Sequence, residues 1–264
     1  MKLYHSGYGI DIDTGSLETI KLFCELKDLY KKIPKTQCLK CPNKNGVEAD
    51  CCKIFSPPML LIEFSHIMRI TEEWTEEEKK KLYYKCFESY LNPSHEKKCV
   101  LLNDENQCTV YGARPFSCRM FGLYGETEWE DRLKNISLET GLDQKNVPFA
   151  KQCDGVKIKK KNTKVKNITK GTSDYLYKHI HYLDINLFPE EIAKDASALV
   201  MGSYTYLPFD AHHLLMKIGQ EKLENLAIMK TRSRRLIEND EVAFLKDKAE
   251  VKDLLENVKK EIFK

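Results

Sequence analysis

Residues 38–52 read Cys-Leu-Lys-Cys-Pro-Asn-Lys-Asn-Gly-Val-Glu-Ala-Asp-Cys-Cys. Four cysteines share this stretch with few apolar side chains, so hydrophobic burial has little to work with here. A bound structural metal supplies on the order of 10–16 kcal/mol, enough to order such an irregular segment. The Cys38-x2-Cys41 turn lets two sulfurs converge on one centre. Adjacent Cys51 and Cys52 diverge if the backbone is extended, so they serve two centres, or one is a neighbouring thiol. Thiolates are soft ligands, and sets of four favour zinc or iron–sulfur clusters over hard cations.

Outward from this stretch come Cys99, Cys108, Cys118 and Cys153. The candidate metal ligands are thus Cys38, Cys41, Cys51, Cys52, Cys99, Cys108, Cys118 and Cys153. Ligand count leaves open two four-cysteine sites or one site with spare thiols. Residues 99–111 read as a hairpin with a loop at Asn103-Asp104-Glu105-Asn106, which sets Leu101 opposite Cys108. Strand alternation then puts Cys99 and Cys108 on one face as diagonal neighbours, about 7–8 Å apart. Arg114 and Arg119 flank Cys118. They are candidates to offset the negative charge of a thiolate centre from its second shell, with Tyr111 beside them. Cys24 and Cys86 sit on predicted helices away from this spacing and are assigned to packing. No histidine is nominated as a ligand.

The chain has 264 residues and ten cysteines, and its charge nearly cancels to +3. That balance argues against nucleic acid or an anionic membrane as the main partner. The aliphatic run Met59-Leu60-Leu61-Ile62 is far short of the ~20 residues a membrane span needs. The N-terminus has no apolar leader pattern, which makes a cytoplasmic location the expectation. In reducing cytosol, clustered cysteines point to metal rather than disulfides.

The spacing predicts a helix over 17–33 from Leu22, Leu26, Leu29 and Ile33, stopped by Pro34. A short helix follows over about 60–70. Another starts at Thr75, where Thr75-Glu76-Glu77-Glu78 forms a capping box, with Leu82, Tyr83, Cys86, Phe87 and Tyr90 as its apolar stripe. The seven lysines of 156–170 read as a solvated hairpin turning near Asn162 rather than an anion-binding arm. Helices are expected near 189–201, 210–230 and 240–263. The expected fold class is mainly α with irregular cysteine-rich loops and one or two short β-hairpins. It divides into a metal-centred module over 1–172, including the N-terminal helix, and a helical C-terminal region over 173–264.

Cys38-x2-Cys41, Cys51-Cys52, Cys99, Cys108, Tyr111-x2-Arg114-Pro115-x2-Cys118-Arg119-x-Phe121 and Cys153 together resemble the YkgJ family. Its CxxCxxCC zinc- or iron-chelating domain is commonly described as an iron–sulfur-cluster-containing module. The resemblance spans about residues 36–155, and the gap between Cys41 and Cys51 is longer than the usual pattern. It implies a cysteine-held iron–sulfur cluster or zinc. The residues favour an iron–sulfur cluster, as a cubane of four irons (4Fe-4S), since only one Cys-x2-Cys knuckle is present and Pro42 follows Cys41. The leading expectation is a cytoplasmic iron–sulfur protein with an electron-transfer or structural role and an unidentified redox or protein partner. The first alternative is a structural zinc module for partner binding. A second is an iron–sulfur-dependent protein-modifying enzyme, since relatives of this module include flagellin lysine methylase. No catalytic residue is assigned, and no Gly-x-Gly-x-x-Gly or Walker A loop occurs.

Overall fold

The structure, a computed structural model, describes residues 3–5, 11–34, 36–37, 52, 56–92, 98–140, 143–144, 157–158, 168–188 and 206–228. The architecture is mainly helical with small two-stranded pairings.

Helix α1 spans Leu17–Lys31, begun by Ser16, whose hydroxyl accepts from the Thr19 N–H at 3.1 Å. Phe23, Leu26, Leu29 and Tyr30 are its buried stripe, and Ile33 is buried just past its end. Cys24 is exposed, which corrects its assignment to packing. It follows Phe23 by one residue and so leaves the buried stripe by about 100° of helical turn.

Helix α2, Leu61–Thr71, is the centre of the molecule. Every residue from Leu61 to Ile67 is buried, polar ones included, which is the pattern of an element packed on more than one side. Leu61, Phe64 and Ile67 face one core, and Ile62 with the preceding Leu60 faces another. The first core is closed by α3 (Glu76–Leu91), α7 (Phe209–Ile218) and a further helical stretch, α8, at 220–228. The second is closed by α1, the short helix α4 (Phe116–Met120) and α6 (Lys170–Ile185). Helix α5, Glu126–Thr140, lies between α4 and α6 in the chain.

The predicted capping box of α3 is present. The Glu78 N–H donates to the Thr75 hydroxyl at 3.2 Å, and the Thr75 N–H donates to the Glu78 carboxylate at 2.8 Å. Leu82, Tyr83, Cys86 and Phe87 are buried as the stripe requires. The helix expected over 210–230 is divided at Gly219, whose φ of 79° is in the left-handed region that glycine adopts at low cost. Helices α4 and α5 were not anticipated from periodicity, while α6 falls almost wholly within the region expected to be helical from 173 onward. The expected boundary between 172 and 173 falls in the first turn of α6, and each core takes residues from both sides of it. The stretches expected as helices at 189–201 and 240–263 lie outside the described residues.

Three antiparallel pairings tie the chain together. β1 (Leu3–His5) pairs with β2 (Asp11–Asp13). β3 (Thr36–Gln37) pairs with β5 (Lys157–Ile158), setting Gln37 against Lys157. β4 (Pro58–Met59) pairs with β6 (Leu207–Pro208). The described partner of Lys157–Ile158 is therefore β3, while the turn expected near Asn162 lies outside the described residues.

Candidate metal centre

Of the eight candidate ligands, Cys52, Cys99, Cys108 and Cys118 are among the described residues; Cys38, Cys41, Cys51 and Cys153 lie outside them. Cys99 is buried in the first core, and the half-buried Cys52 and Cys108 pack against the same core. The link between them is backbone. The Cys99 N–H donates to the Cys52 carbonyl at 2.6 Å, so two residues far apart in sequence are fastened side by side.

The segment after Cys99 differs from the predicted hairpin by one residue. Leu102, not Leu101, pairs with Cys108. The loop is three residues long, closed by the Asn103 N–H donating to the Gln107 carbonyl at 2.9 Å, with Asn106 in the left-handed region at φ 60°. A three-residue loop ending in a left-handed residue is a standard hairpin solution. Asn tolerates that conformation, and the Asn103 side chain accepts from the Gln107 N–H at 2.7 Å. Cys99 itself starts a turn, with the Leu102 N–H donating to its carbonyl at 3.2 Å. Strand alternation therefore does not relate Cys99 to Cys108; what they share is the first core.

Cys86 is fully buried in that core, as its assignment to packing requires. Burial pushes its thiol well above the ordinary range, with the nearby Asp210 and Cys99 adding to the effect. A thiol held protonated in this way is a poor metal ligand.

Cys118 lies on α4, whose Phe116 and Met120 belong to the second core. The residues around it are held by a buried polar cluster. Glu63 projects from the first turn of α2 and is 2 % exposed. It accepts from the Tyr30 hydroxyl, from the Phe116 N–H at 2.6 Å and from the Leu60 N–H at 2.9 Å. Burial raises the Glu63 carboxyl above its usual range, while these three donors and Arg119 pull it back. Burial also raises Tyr30 well above the phenol range, and the Glu63 charge and hydrogen bond raise it further.

Arg119 lies over the Tyr30 ring, 4.1 Å from its centroid. Its Nε donates to the Arg114 carbonyl at 2.6 Å and its Nη2 to the Gly112 carbonyl at 2.6 Å. Arg114 lies 3.8 Å over the ring of the exposed Tyr111. Two N–H groups of Arg119 thus hold the turn before Cys118, and its positive charge stays beside that thiol. Sequence reasoning singled out Arg119 but passed over Glu63 and Tyr30. The signal available was a glutamate directly after the aliphatic run Met59–Ile62 and before Phe64, a residue that is buried only when paired.

Among the described residues, no group of three or more His, Cys, Asp or Glu is placed to hold a metal ion. Cys52, Cys99 and Cys108 therefore do not form a three-ligand set on their own. As donors they suit a soft metal: three thiols at one core, Cys99 buried and Cys52 and Cys108 half-buried, with Cys99 bonded through backbone to Cys52. No described helix is long and apolar enough to cross a membrane.

No curated protein and no solved structure matches this chain. A family model does match, over the stretch that contains all eight candidate ligands. Residues 35–154 of this chain match the model of the CxxCxxCC family, which is described as a "putative zinc- or iron-chelating domain".

Proposed function

We propose that this chain is a cytoplasmic metalloprotein whose cysteines hold an iron–sulfur cluster of four irons, with an electron-transfer or structural role. The observation that carries this reading is the family match over residues 35–154, which supports metal binding by that segment. Chain connectivity adds to it. Cys38 follows Gln37 directly, and Cys153 precedes Lys157 by four residues, while Gln37 and Lys157 are partners in one ladder. Consecutive Cα atoms are about 3.8 Å apart, so the two ends of the cysteine-bearing segment leave from one place. Cys52, Cys99 and Cys108 already share one core, and the centre draws its thiolates from these three together with Cys118, Cys38, Cys41, Cys51 and Cys153.

Bound in such a site, the cluster supplies one-electron chemistry or a rigid cross-link. If every iron is held by cysteine, no position is left open for substrate, which favours electron transfer or support over catalysis. Zinc is the second reading, because the family description names both metals. Metal analysis with visible absorption on anaerobically purified protein separates them. Iron with sulfide and a coloured protein is the expected result; a colourless protein with stoichiometric zinc overturns the iron–sulfur reading. Cys→Ser variants at Cys41, Cys52 and Cys118 are expected to lose metal, whereas Cys86→Ser keeps it.

A further inference from the structure

Helix α4 carries Cys118 on five residues, Phe116–Met120. A helix this short does not hold itself together, because nucleation costs more than one turn of hydrogen bonds returns. Its place is set from outside, by contacts on either side of Cys118. The Phe116 N–H donates to the Glu63 carboxylate at 2.6 Å. The Ser117 hydroxyl donates to the Pro58 carbonyl at 2.8 Å. Arg119 grips the Gly112 and Arg114 carbonyls and stacks on Tyr30. The same Glu63 oxygen that receives the Phe116 N–H also receives the Tyr30 hydroxyl. One carboxylate therefore joins α1, α2 and α4.

We infer that the Tyr30–Glu63 pair is a positioning device for Cys118, holding its sulfur at a fixed orientation toward a metal. The inference rests on the metal-binding reading above. A buried carboxylate and a buried guanidinium are costly to desolvate, and apolar residues of similar size would often stabilise a core as well or better. What such a network does supply is a fixed geometry for the backbone it bonds. Here that backbone includes the Phe116 N–H, two residues before Cys118, while Arg119, the residue after it, stacks on Tyr30. Cys118 itself is only half-buried, so packing alone does not orient it. Neither Tyr30 nor Glu63 lies in a cysteine motif, and both act through the Cys118 segment.

The test uses the full chain, purified anaerobically with its metal. Metal per chain, resistance to a competing chelator, the visible and EPR spectra and Tm are measured for the parent, Tyr30→Phe, Glu63→Gln and Ile180→Ala. Ile180 belongs to the same core and serves as the packing control. Tyr30→Phe and Glu63→Gln are expected to weaken metal retention about 10- to 100-fold and to change the spectra, the size typical of removing a group that supports a ligand. Ile180→Ala is expected to lower Tm and leave the spectra unchanged. If Glu63→Gln does not fold, Tyr30→Phe alone decides, since it removes a single hydroxyl. Parent-like spectra and chelator resistance in Tyr30→Phe overturn the inference and leave the proposed function standing. A parent that holds no metal overturns both.

Discussion

Two buried histidines and a buried cysteine give the sharpest tests of individual side chains. Burial lowers His213 to about 3 and His66 to about 4, helped at His213 by Lys217 and at His66 by Lys27, Arg119 and Arg69. Neither Nδ1 has a hydrogen-bond partner among the described residues. A histidine lowered in the folded state stays neutral while its unfolded counterpart protonates below about 6.5. The unfolded state then binds more protons, so stability is full above pH 6.5 and falls as pH drops toward 4. With both groups contributing, the slope approaches about 2.7 kcal/mol per pH unit. Urea midpoints at pH 7, 5.5 and 4.5 are expected to decline accordingly, and His213→Gln to flatten the decline. Cys86 makes a different prediction. A serine there buries a hydroxyl among apolar groups and is expected to cost about 1–3 kcal/mol, more than Cys86→Ala, with metal content unchanged for both. Chemical denaturation with metal analysis checks it.

Among the elements, helix termini carry much of the local specificity. Thr75 and Glu78 satisfy each other's backbone donors at the start of α3, and Thr75→Ala is expected to cost about 1 kcal/mol in thermal or urea unfolding. Glu128 does the same for two helices. Its carboxylate accepts from the Gly125 N–H at 2.8 Å beside α5 and from the Lys170 N–H at 2.8 Å at the start of α6. Asp184, at the end of α6, accepts from the Ile62 N–H at 2.6 Å and so caps α2 from another helix. Negative charge at a helix N-terminus is stabilising, more so when buried. The box at Thr75 was legible in the sequence because cap and partner are three residues apart. The caps supplied by Glu128 to α6 and by Asp184 to α2 were not, because their partners are brought near only by folding.

For the molecule as a whole, α2 is shared by two cores that each draw on early and late parts of the chain. Leu214, Leu215, Leu223 and Leu226 pack into the core that contains Cys99, and Leu176, Ile180 and Leu183 pack into the one beside Cys118. The His212 Nε2–H donates to the Met59 carbonyl at 3.0 Å, and its ring stacks on Phe64 at 4.9 Å. A chain ending at residue 172 would leave both faces of α2 partly bare. It is expected to lose cooperative unfolding and to aggregate, as read by calorimetry and size-exclusion chromatography. A soluble, cooperatively folding fragment would instead mark 1–172 as an independent unit.

Local features were readable from the chain alone: the cap at Thr75, the buried stripe of α3, and Leu26 and Leu29 of the stripe of α1. Each depends on residue type and on spacings of a few positions, which periodicity and capping rules capture. Folding in three dimensions decided the rest. It joined Thr36–Gln37 to Lys157–Ile158 and Pro58–Met59 to Leu207–Pro208, fastened Cys99 to Cys52, moved the Cys108 pairing by one residue, and placed Glu63 where three donors meet. Contacts between such distant residues leave no repeating pattern along the chain. They arise because each polar group taken out of water must find a partner wherever packing puts one.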